Sequence, residues 1–134
     1  KIISPRISEN ATKLINYFWP GALTIILEKR EGLKAPLSID NSIGIRIPDD
    51  SFVRQLSNRI GPLATTSANR SGFPSSTKVD EVLEQIGDQV DLIVDGGECE
   101  GGIPSSVVDC RSEEIKILRD GAISKEEIYN KLAT

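Results

Sequence analysis

Histidine and methionine are both absent from this 134-residue sequence, and aromatic residues make up only 4% of it. Without histidine the chain cannot form a Ser-His-Asp or Cys-His triad, use an imidazole base or hold a metal through imidazole. Without methionine, Lys1 is not a translation start, so we expect the chain to be a processed or partial product. Any chemistry must therefore come from other side chains.

Long apolar runs are missing as well. The longest lies near residues 23–27, whereas a bilayer-spanning helix needs about 20 apolar residues. No signal-peptide pattern opens the chain, so we expect a cytoplasmic location and no membrane partner. Sixteen basic and 20 acidic residues give a net charge of -4. This charge disfavours a protein whose entire surface binds a nucleic-acid phosphate backbone, but a local basic cleft remains possible.

Cysteine is scarce, since only Cys99 and Cys110 are present. Cys99 falls in a loop rich in glycine and glutamate and Cys110 follows an apolar segment, so we do not expect a structural disulfide. Two thiols without histidine also make a poor zinc site, and no protein-held metal is expected. The length and the 38% hydrophobic content suit a single domain with one core.

Hydrophobic periodicity predicts four helices and six strands. The helices begin at the cap residues Ser8, Asp49 or Asp50, Thr77 and Ser124, and the third is expected to turn its apolar side chains inward. The strands span residues 22–29, 43–48, 63–67, 92–95, 106–110 and 115–119. Helices alternating with strands, some of which follow each other directly, predict an α/β fold with a twisted mixed β-sheet flanked by helices, with α+β as the near alternative.

The strand at residues 43–48 carries the first candidate site. Period-two geometry places Ile43, Ile45 and Ile47 on one face and Gly44 and Arg46 on the other, so Arg46 leaves the core. One interpretation is an exposed arginine in a weak ion pair. The other is a ligand contact, because glycine leaves room for a ligand and a guanidinium binds a carboxylate or phosphate bidentately.

A second candidate site is the hydroxyl- and amide-rich stretch at residues 65–72. Thr65 and Ser67 would share one face of the strand at residues 63–67, just before the loop with Asn69. Hydroxyls and backbone amides at the carboxyl end of a strand suit an anion or a polar ligand. The alternative is a turn held by local Asn and Ser/Thr hydrogen bonds.

A third candidate is the segment at residues 101–106, where two glycines precede Ser105. It could close over a ligand or be a mobile hairpin. Arg119 ends the strand at residues 115–119, and there too a ligand contact competes with a plain ion pair to Asp120.

Five short motifs, taken in order, resemble one family. They read WPGALT at residues 19–24, IGIRIP at 43–48, TSAN at 66–69 followed by Ser71 and Gly72, PSSVVD at 104–109, and LRDGAI at 118–123. Together they resemble the YrdC-like family of threonylcarbamoyl-AMP synthases. The resemblance implies an enzyme that joins L-threonine, bicarbonate and ATP into threonylcarbamoyl-AMP with release of pyrophosphate, for the t6A modification of tRNA.

The resemblance also implies roles for residues of this sequence. The ATP contacts would be Ser42, Ser67, Asn69, Ser75 and Arg119, and Mg²⁺ would accompany ATP. The L-threonine site would be lined by Arg46, Thr65 and Ser105. No catalytic acid, base or nucleophile is implied. The partners implied are ATP, L-threonine and bicarbonate, with tRNA or double-stranded RNA and the proteins of the later transfer step as further partners.

The family's N-terminal portion, with its Lys-x-Arg motif, is expected before Lys1. We therefore expect one YrdC-like domain at residues 1–134 that is incomplete at its N-terminus and inactive on its own. Two alternative functions stay open: an RNA-binding or regulatory module without full catalysis, which the acidic composition disfavours, and a purely structural fragment.

Overall fold

The computed structural model describes residues 4–33, 40–99 and 103–133. The chain divides into two compact units, one formed by Lys1–Leu63 with Pro104–Thr134 and the other by Ala64–Ile103. The first unit contains all four assigned strands, and the second contains a single helix among its described residues.

The four helices of the described residues begin at predicted cap residues, except that the third has Lys78 rather than Thr77 at its N-cap, without a side-chain cap hydrogen bond. They are α1 (Glu9–Phe18), α2 (Ser51–Ile60), α3 (Val79–Ile86) and α4 (Lys125–Leu132). The Ser8 hydroxyl accepts the amide of Ala11, and the Asp50 carboxylate does the same at the start of α2. At α4, Ser124 and Glu127 form the expected capping box. Each of these caps satisfies amides that the helix itself leaves unpaired.

The sheet has four strands among the described residues: β1 (Leu23–Glu28), β2 (Ser42–Ile45), β3 (Ser106–Asp109) and β4 (Lys116–Arg119). Their order is β2-β1-β3-β4, with β1 parallel to β3 and the two outer pairs antiparallel. The predicted α/β fold with a mixed sheet flanked by helices is therefore confirmed.

The core of the first unit lies on one face of this sheet. Leu23, Ile25 and Val108 project from β1 and β3 and are fully buried against Leu14 of α1 and Ile128 of α4. Full burial of such a side chain stabilises the folded state by about 1.5–3 kcal/mol. The opposite face carries Thr24, Ile26, Gly44 and Val107, none of which is buried. The first unit thus has one packed face and one open face.

Two predicted strands are absent. Residues 63–67 and 92–95 form no strand, and Leu92 remains 79% exposed. Their apolar patterns favour an extended chain, but a strand also needs a neighbour to accept and donate its backbone hydrogen bonds. Among the described residues neither segment has such a neighbour in the sheet. The pattern by itself could not reveal this.

The helix α3 also departs from expectation. Its apolar side chains were expected to face inward, yet none is buried and Leu83 is 52% exposed. The described residues of its own unit contain no other helix or strand against which α3 could pack. Both cysteines are free, with Cys99 exposed and Cys110 buried. No helix of the described residues is long and apolar enough to cross a bilayer.

Candidate functional site

Four polar residues lie at one end of the sheet, and we call them the arginine end: Thr24, Arg46, Ser105 and Arg119. The topology brings them together because the first residues of β1 and β3 lie beside the last residues of their antiparallel neighbours β2 and β4. Four adjacent strands at the usual spacing make this edge about 14 Å wide. The sequence predicted three of these four residues as ligand contacts.

Arg46 lies one residue beyond the end of β2 and is exposed, as predicted. The predicted alternation does not continue to Ile47, which is 41% exposed rather than on the core face, because the strand ends at Ile45. Its Nε donates to the carbonyl of Gly21 at 2.8 Å. The neighbouring chain is held in turn, because the amide of Gly21 donates to the carbonyl of Ile47 at 2.9 Å. Among the described residues Arg46 has no ion-pair partner, so the alternative of a weak ion pair is not what this structure shows.

Gly44 precedes Arg46 on the same face and lies opposite Ile26. A Cβ built on Gly44 would lie 3.2 Å from Ile26 Cδ1 and 3.4 Å from Thr24 Cγ2. Any larger residue would therefore crowd its neighbours and cover the open face beside Arg46. Glycine at this position keeps the approach to the guanidinium clear.

Ser105 and Arg119 form the other half of the arginine end. The Nε and Nη2 atoms of Arg119 donate to the Ser105 carbonyl at 3.0 and 2.8 Å, and Nη2 also reaches the Ser105 hydroxyl at 3.1 Å. Asp120, the expected competitor, pairs instead with Lys125 at 3.5 Å. Arg119 therefore keeps its positive charge free of any carboxylate among the described residues.

A shift in strand register sets the direction of Arg119. Val108 pairs with Ile117, but Val107 pairs with Arg119 rather than with Leu118. This bulge adds one residue to β4, and a one-residue shift exchanges the two faces of a strand. As a result Arg119 pairs with a residue of the open face and can bind Ser105.

Ser105 is held by tight backbone packing. A Cβ on Gly121 would overlap the Pro104 carbonyl oxygen and the Ser106 amide nitrogen, so only glycine fits there. The next residue, Ala122, donates its amide to the Pro104 carbonyl at 3.0 Å. The fully buried Ser106 hydroxyl accepts the amide of Ile123 at 3.0 Å and donates to its carbonyl.

Ser42, the predicted ATP contact in β2, lies at the other end of the open face. It is four residues from Arg46 along the strand, a distance of about 13 Å. Its hydroxyl donates to Asp40 Oδ1 at 2.5 Å, and its amide donates to the same oxygen at 3.0 Å. Because the Ser42 hydroxyl already donates its one hydrogen bond to Asp40, it can accept a hydrogen bond from an amino or hydroxyl group but cannot donate one to a phosphate.

Asp40 belongs to an ion network with Arg111 and Asp109. The Arg111 guanidinium binds Asp109 through Nε and Nη2, the latter at 2.6 Å, and reaches Asp40 through Nη1 at 3.1 Å. Hydrogen bonds from Ser42 and the nearby Arg111 charge lower the pKa of Asp40, and Arg111 lowers the pKa of Asp109. The network links the chain just before β2 to the end of β3.

The remaining predicted site residues lie in the unit Ala64–Ile103. Thr65, Ser67 and Ser75 are exposed, and Thr65 and Ser67 lie outside any strand, so the predicted strand face does not define their direction. Gly101 and Gly102 of the third candidate segment lie outside the described residues.

Asn69 is the best-fixed residue of this unit's polar loop. Its Nδ2 donates to the carbonyls of Arg70 and Phe73, each at 2.9 Å, which matches the locally bonded turn considered as an alternative. Its Oδ1 is buried and has no partner among the described residues. An unpaired buried acceptor is costly, so this oxygen suits a ligand that supplies a donor or a cation.

The loop that contains Asn69 is attached to α3. Arg70 donates through its amide to Gln85 Oε1 at 3.1 Å and through Nε to the Gln85 carbonyl at 2.7 Å. Gln85 in turn donates to Ser76 Oγ at 3.2 Å. These bonds define the loop relative to its own helix.

No group of three acidic, cysteine or histidine side chains that could hold a metal occurs within residues 4–33, 40–99 and 103–133. A cavity of about 160 Å³ lies by the carboxyl ends of β1 and β3, and its lining includes Arg6, Glu28, Arg111 and Glu113. Charges of both signs line it, and it contains none of the predicted site residues. At the arginine end, by contrast, Arg46 and Arg119 have no carboxylate partner among the described residues.

Comparison with known proteins gives this arrangement a family. Residues 1–121 match the family model Sua5/YciO/YrdC, described as "Telomere recombination". The chain belongs to the Sua5/YciO/YrdC family. This confirms the resemblance that the five motifs carried.

The sequence relatives of this Sua5/YciO/YrdC chain are longer proteins. A protein of Methanocaldococcus jannaschii is 41% identical over 122 residues, which cover 91% of this chain and 58% of that protein. The threonylcarbamoyl-AMP synthase of Bacillus subtilis is 38% identical over 123 residues, covering 90% and 36%. The chain thus spans between about a third and three-fifths of these relatives' length.

Two solved structures share the fold. Pyrococcus abyssi Sua5, in a crystal structure complexed with L-threonine, superposes with a TM-score of 0.89 at 32% identity and covers 98% of this chain and 39% of that one. Escherichia coli YciO gives a TM-score of 0.80 at 25% identity, covering 95% and 63%. Both contain the described architecture within a longer chain.

Sequence reasoning assigned no role to Thr24, Gly121 or Asp40. Thr24 binds the Ser105 hydroxyl at 2.8 Å, Gly121 permits the packing around Ser105, and Asp40 binds Ser42. Thr24 and Gly121 lie inside two of the five motifs, which is a signal that could have indicated them. Asp40 had only its position two residues before Ser42.

Proposed function

We propose that this chain is part of an L-threonylcarbamoyladenylate synthase, which forms threonylcarbamoyl-AMP and pyrophosphate from L-threonine, bicarbonate and ATP for the t6A modification of tRNA. One observation carries the proposal. Arg46 and Arg119 lie at the same end of the open sheet face without a carboxylate partner among the described residues, beside the paired hydroxyls of Thr24 and Ser105. The names of the family relatives support the same activity.

The chemistry explains why cations matter more than a base. The carboxylate of N-carboxythreonine attacks the α-phosphorus of ATP, a new oxygen–phosphorus bond forms, and the bond to the leaving pyrophosphate breaks. Both reactants are anions, so positioning and stabilisation of negative charge supply most of the catalysis. A chain without histidine is compatible with such a reaction.

The residues divide between the two substrates. Arg46 and Ser105 would bind L-threonine, with the Arg46 guanidinium forming a bidentate contact to its carboxylate, and Thr65 would complete this site. Arg119 would bind ATP, with Ser42, Ser67, Asn69 and Ser75 as its further contacts. Ser42 would accept a hydrogen bond from the nucleoside, because its hydroxyl already donates its one hydrogen bond to Asp40.

Mg²⁺ would bind as a complex with ATP rather than at a site formed by several carboxylates of the protein. The described residues offer no such cage, and Mg²⁺ in nucleotide sites is held largely by phosphate oxygens and water. The orphan Asn69 Oδ1 suits the ion or one of its waters. Bound Mg²⁺ would neutralise charge on the phosphates. ATP and tRNA are cytoplasmic, and we place the activity there.

Pyrophosphate release by the full-length protein tests the proposal. We expect release that requires L-threonine and bicarbonate together, with no release when either is omitted. Tight binding of tRNA or double-stranded RNA without substrate-dependent release would overturn the enzyme assignment and favour an RNA-binding module.

A further inference from the structure

We propose that Thr24 is a positioning residue that directs the hydroxyl proton of Ser105 toward the carboxylate of bound L-threonine. The inference rests on the proposed function. It starts from the contact between the two hydroxyls, which lie 2.8 Å apart across the parallel strands β1 and β3. At this distance one of the two hydroxyls donates a hydrogen bond to the other.

The rotamer of Thr24 is defined by its neighbours. Its methyl carbon faces β2, where it lies 3.4 Å from the place a Cβ would occupy on Gly44, and its hydroxyl faces Ser105, which immediately precedes β3. A β-branched side chain is stiff about χ1, so the hydroxyl has little freedom to turn away. Thr24 therefore presents a fixed oxygen to Ser105.

A count of protons shows what this contact does. Each hydroxyl has one proton and two lone pairs. Arg119 Nη2 is permanently protonated and donates to Ser105 Oγ, which uses one lone pair of that oxygen. If Thr24 donates as well, both lone pairs of Ser105 are used, and its own proton must point away from the protein groups around it. Neither hydroxyl has another partner among the described residues.

The resulting arrangement suits an anionic acceptor. An oxygen that accepts from a guanidinium and from a second hydroxyl becomes a stronger donor, because hydrogen bonds in a chain polarise one another. A carboxylate can only accept, so it would select the arrangement in which Thr24 donates to Ser105 and Ser105 donates to the ligand. An ammonium or an alcohol gains less from this chain.

The test compares Thr24→Val with Thr24→Ser in the full-length protein. Valine keeps the branched shape and removes the hydroxyl, so we expect about tenfold weaker L-threonine binding by calorimetry. The KM for ATP should stay within twofold. Serine restores the hydroxyl, and we expect it to recover affinity to within about threefold. Thr12→Val is the matched control, since Thr12 is an exposed α1 residue whose hydroxyl bonds only the Ser8 carbonyl among the described residues.

A second ligand separates positioning from a merely structural effect. L-Threoninol keeps the ammonium and hydroxyl groups of L-threonine but has no carboxylate, so its inhibition constant should be the same in the wild type and in Thr24→Val. Equal weakening of both ligands, or unchanged L-threonine affinity in Thr24→Val, would overturn the role of Thr24 alone. A wild-type protein that binds no L-threonine would overturn the proposed function and this inference with it.

Discussion

Arg119 and Ser105 are joined by three hydrogen bonds, in which the guanidinium donates twice to the backbone carbonyl and once to the hydroxyl. Arg119 ends β4 and Ser105 immediately precedes the adjacent antiparallel strand β3, and the bulge in β4 places Arg119 opposite Val107, on the open face beside Ser105. The contact keeps Arg119 away from Asp120 and leaves its charge available to an anion. Four predictions concern Arg46, Gly121, the buried thiol of Cys110 and the Arg111 ion network.

Replacing Arg46 should affect L-threonine more than the fold. Arg46 is exposed, and among the described residues its side chain makes one hydrogen bond, to the Gly21 carbonyl. Arg46→Ala should therefore unfold at nearly the wild-type temperature. Loss of a charged contact to a carboxylate should raise the KM for L-threonine about tenfold to a hundredfold. Steady-state pyrophosphate release measures this.

Arg59→Ala serves as the control for charge alone, because Arg59 is an exposed residue of α2 without an ion pair in the described residues. Its kinetics should match the wild type. Unchanged kinetics in Arg46→Ala would reject the assignment of Arg46 to the L-threonine site.

Adding one methyl group to Gly121 should destabilise the first unit. The new Cβ would overlap backbone atoms of Pro104 and Ser106, which cannot move without disturbing β3. We expect Gly121→Ala to lower the free energy of unfolding by about 1–3 kcal/mol in urea titrations. Gly96→Ala is the matched control: no atom lies within 4 Å of its Cβ position, and we expect a change within about 0.5 kcal/mol. Equal stabilities of the two variants would contradict the packing around Ser105.

Cys110 should make stability fall in alkaline solution. Burial, with a smaller contribution from Asp109, raises the pKa of Cys110 from 9.0 to about 12. The unfolded chain then loses this proton at lower pH than the folded chain. The stabilising contribution is therefore complete below pH 9 and is lost as the pH rises toward 12, by at most about 1.4 kcal/mol per pH unit.

Urea titrations between pH 8 and 11 measure this effect. The stability difference between wild type and Cys110→Ala should shrink as the pH rises, whereas Cys99→Ala, at an exposed thiol, should follow the wild type at every pH. A constant difference for Cys110→Ala would show that the buried thiol does not titrate in this way.

The Arg111 network should make stability fall in acid. The pKa values of Asp40 and Asp109 both lie below their usual 3.8, so their contribution is present above that pH and is lost as the pH falls through the lowered values. We expect Arg111→Ala to lower the urea midpoint at pH 7 and to have a progressively smaller effect as the pH falls below 3.8.

Arg54→Ala removes a looser and more exposed ion pair, in which the Asp49 oxygen lies 3.6 Å away. It should change the midpoint at pH 7 less than Arg111→Ala does. An Arg111→Ala effect that persists undiminished in acid would mean that packing, rather than charge, links the chain before β2 to the end of β3.

Local signals determined most of the secondary structure. Ser8, Asp50 and Ser124 marked the starts of three helices because their side chains accept hydrogen bonds from amides three residues further along the chain. The alternation of residues 43–48 placed Arg46 off the core face, since the period of a strand is a local property. The motif order likewise placed the chain in its family.

Only the tertiary structure decided which predicted strands form and which site residues meet. Residues 63–67 and 92–95 have the composition of strands, but pairing requires a neighbouring strand, which no local pattern can specify. Arg119 binds Ser105 rather than Asp120 because a bulge shifts its register, and Thr24 reaches Ser105 because β1 and β3 are adjacent. Contacts between distant segments depend on strand order and register, and these are set by the packing of the whole sheet.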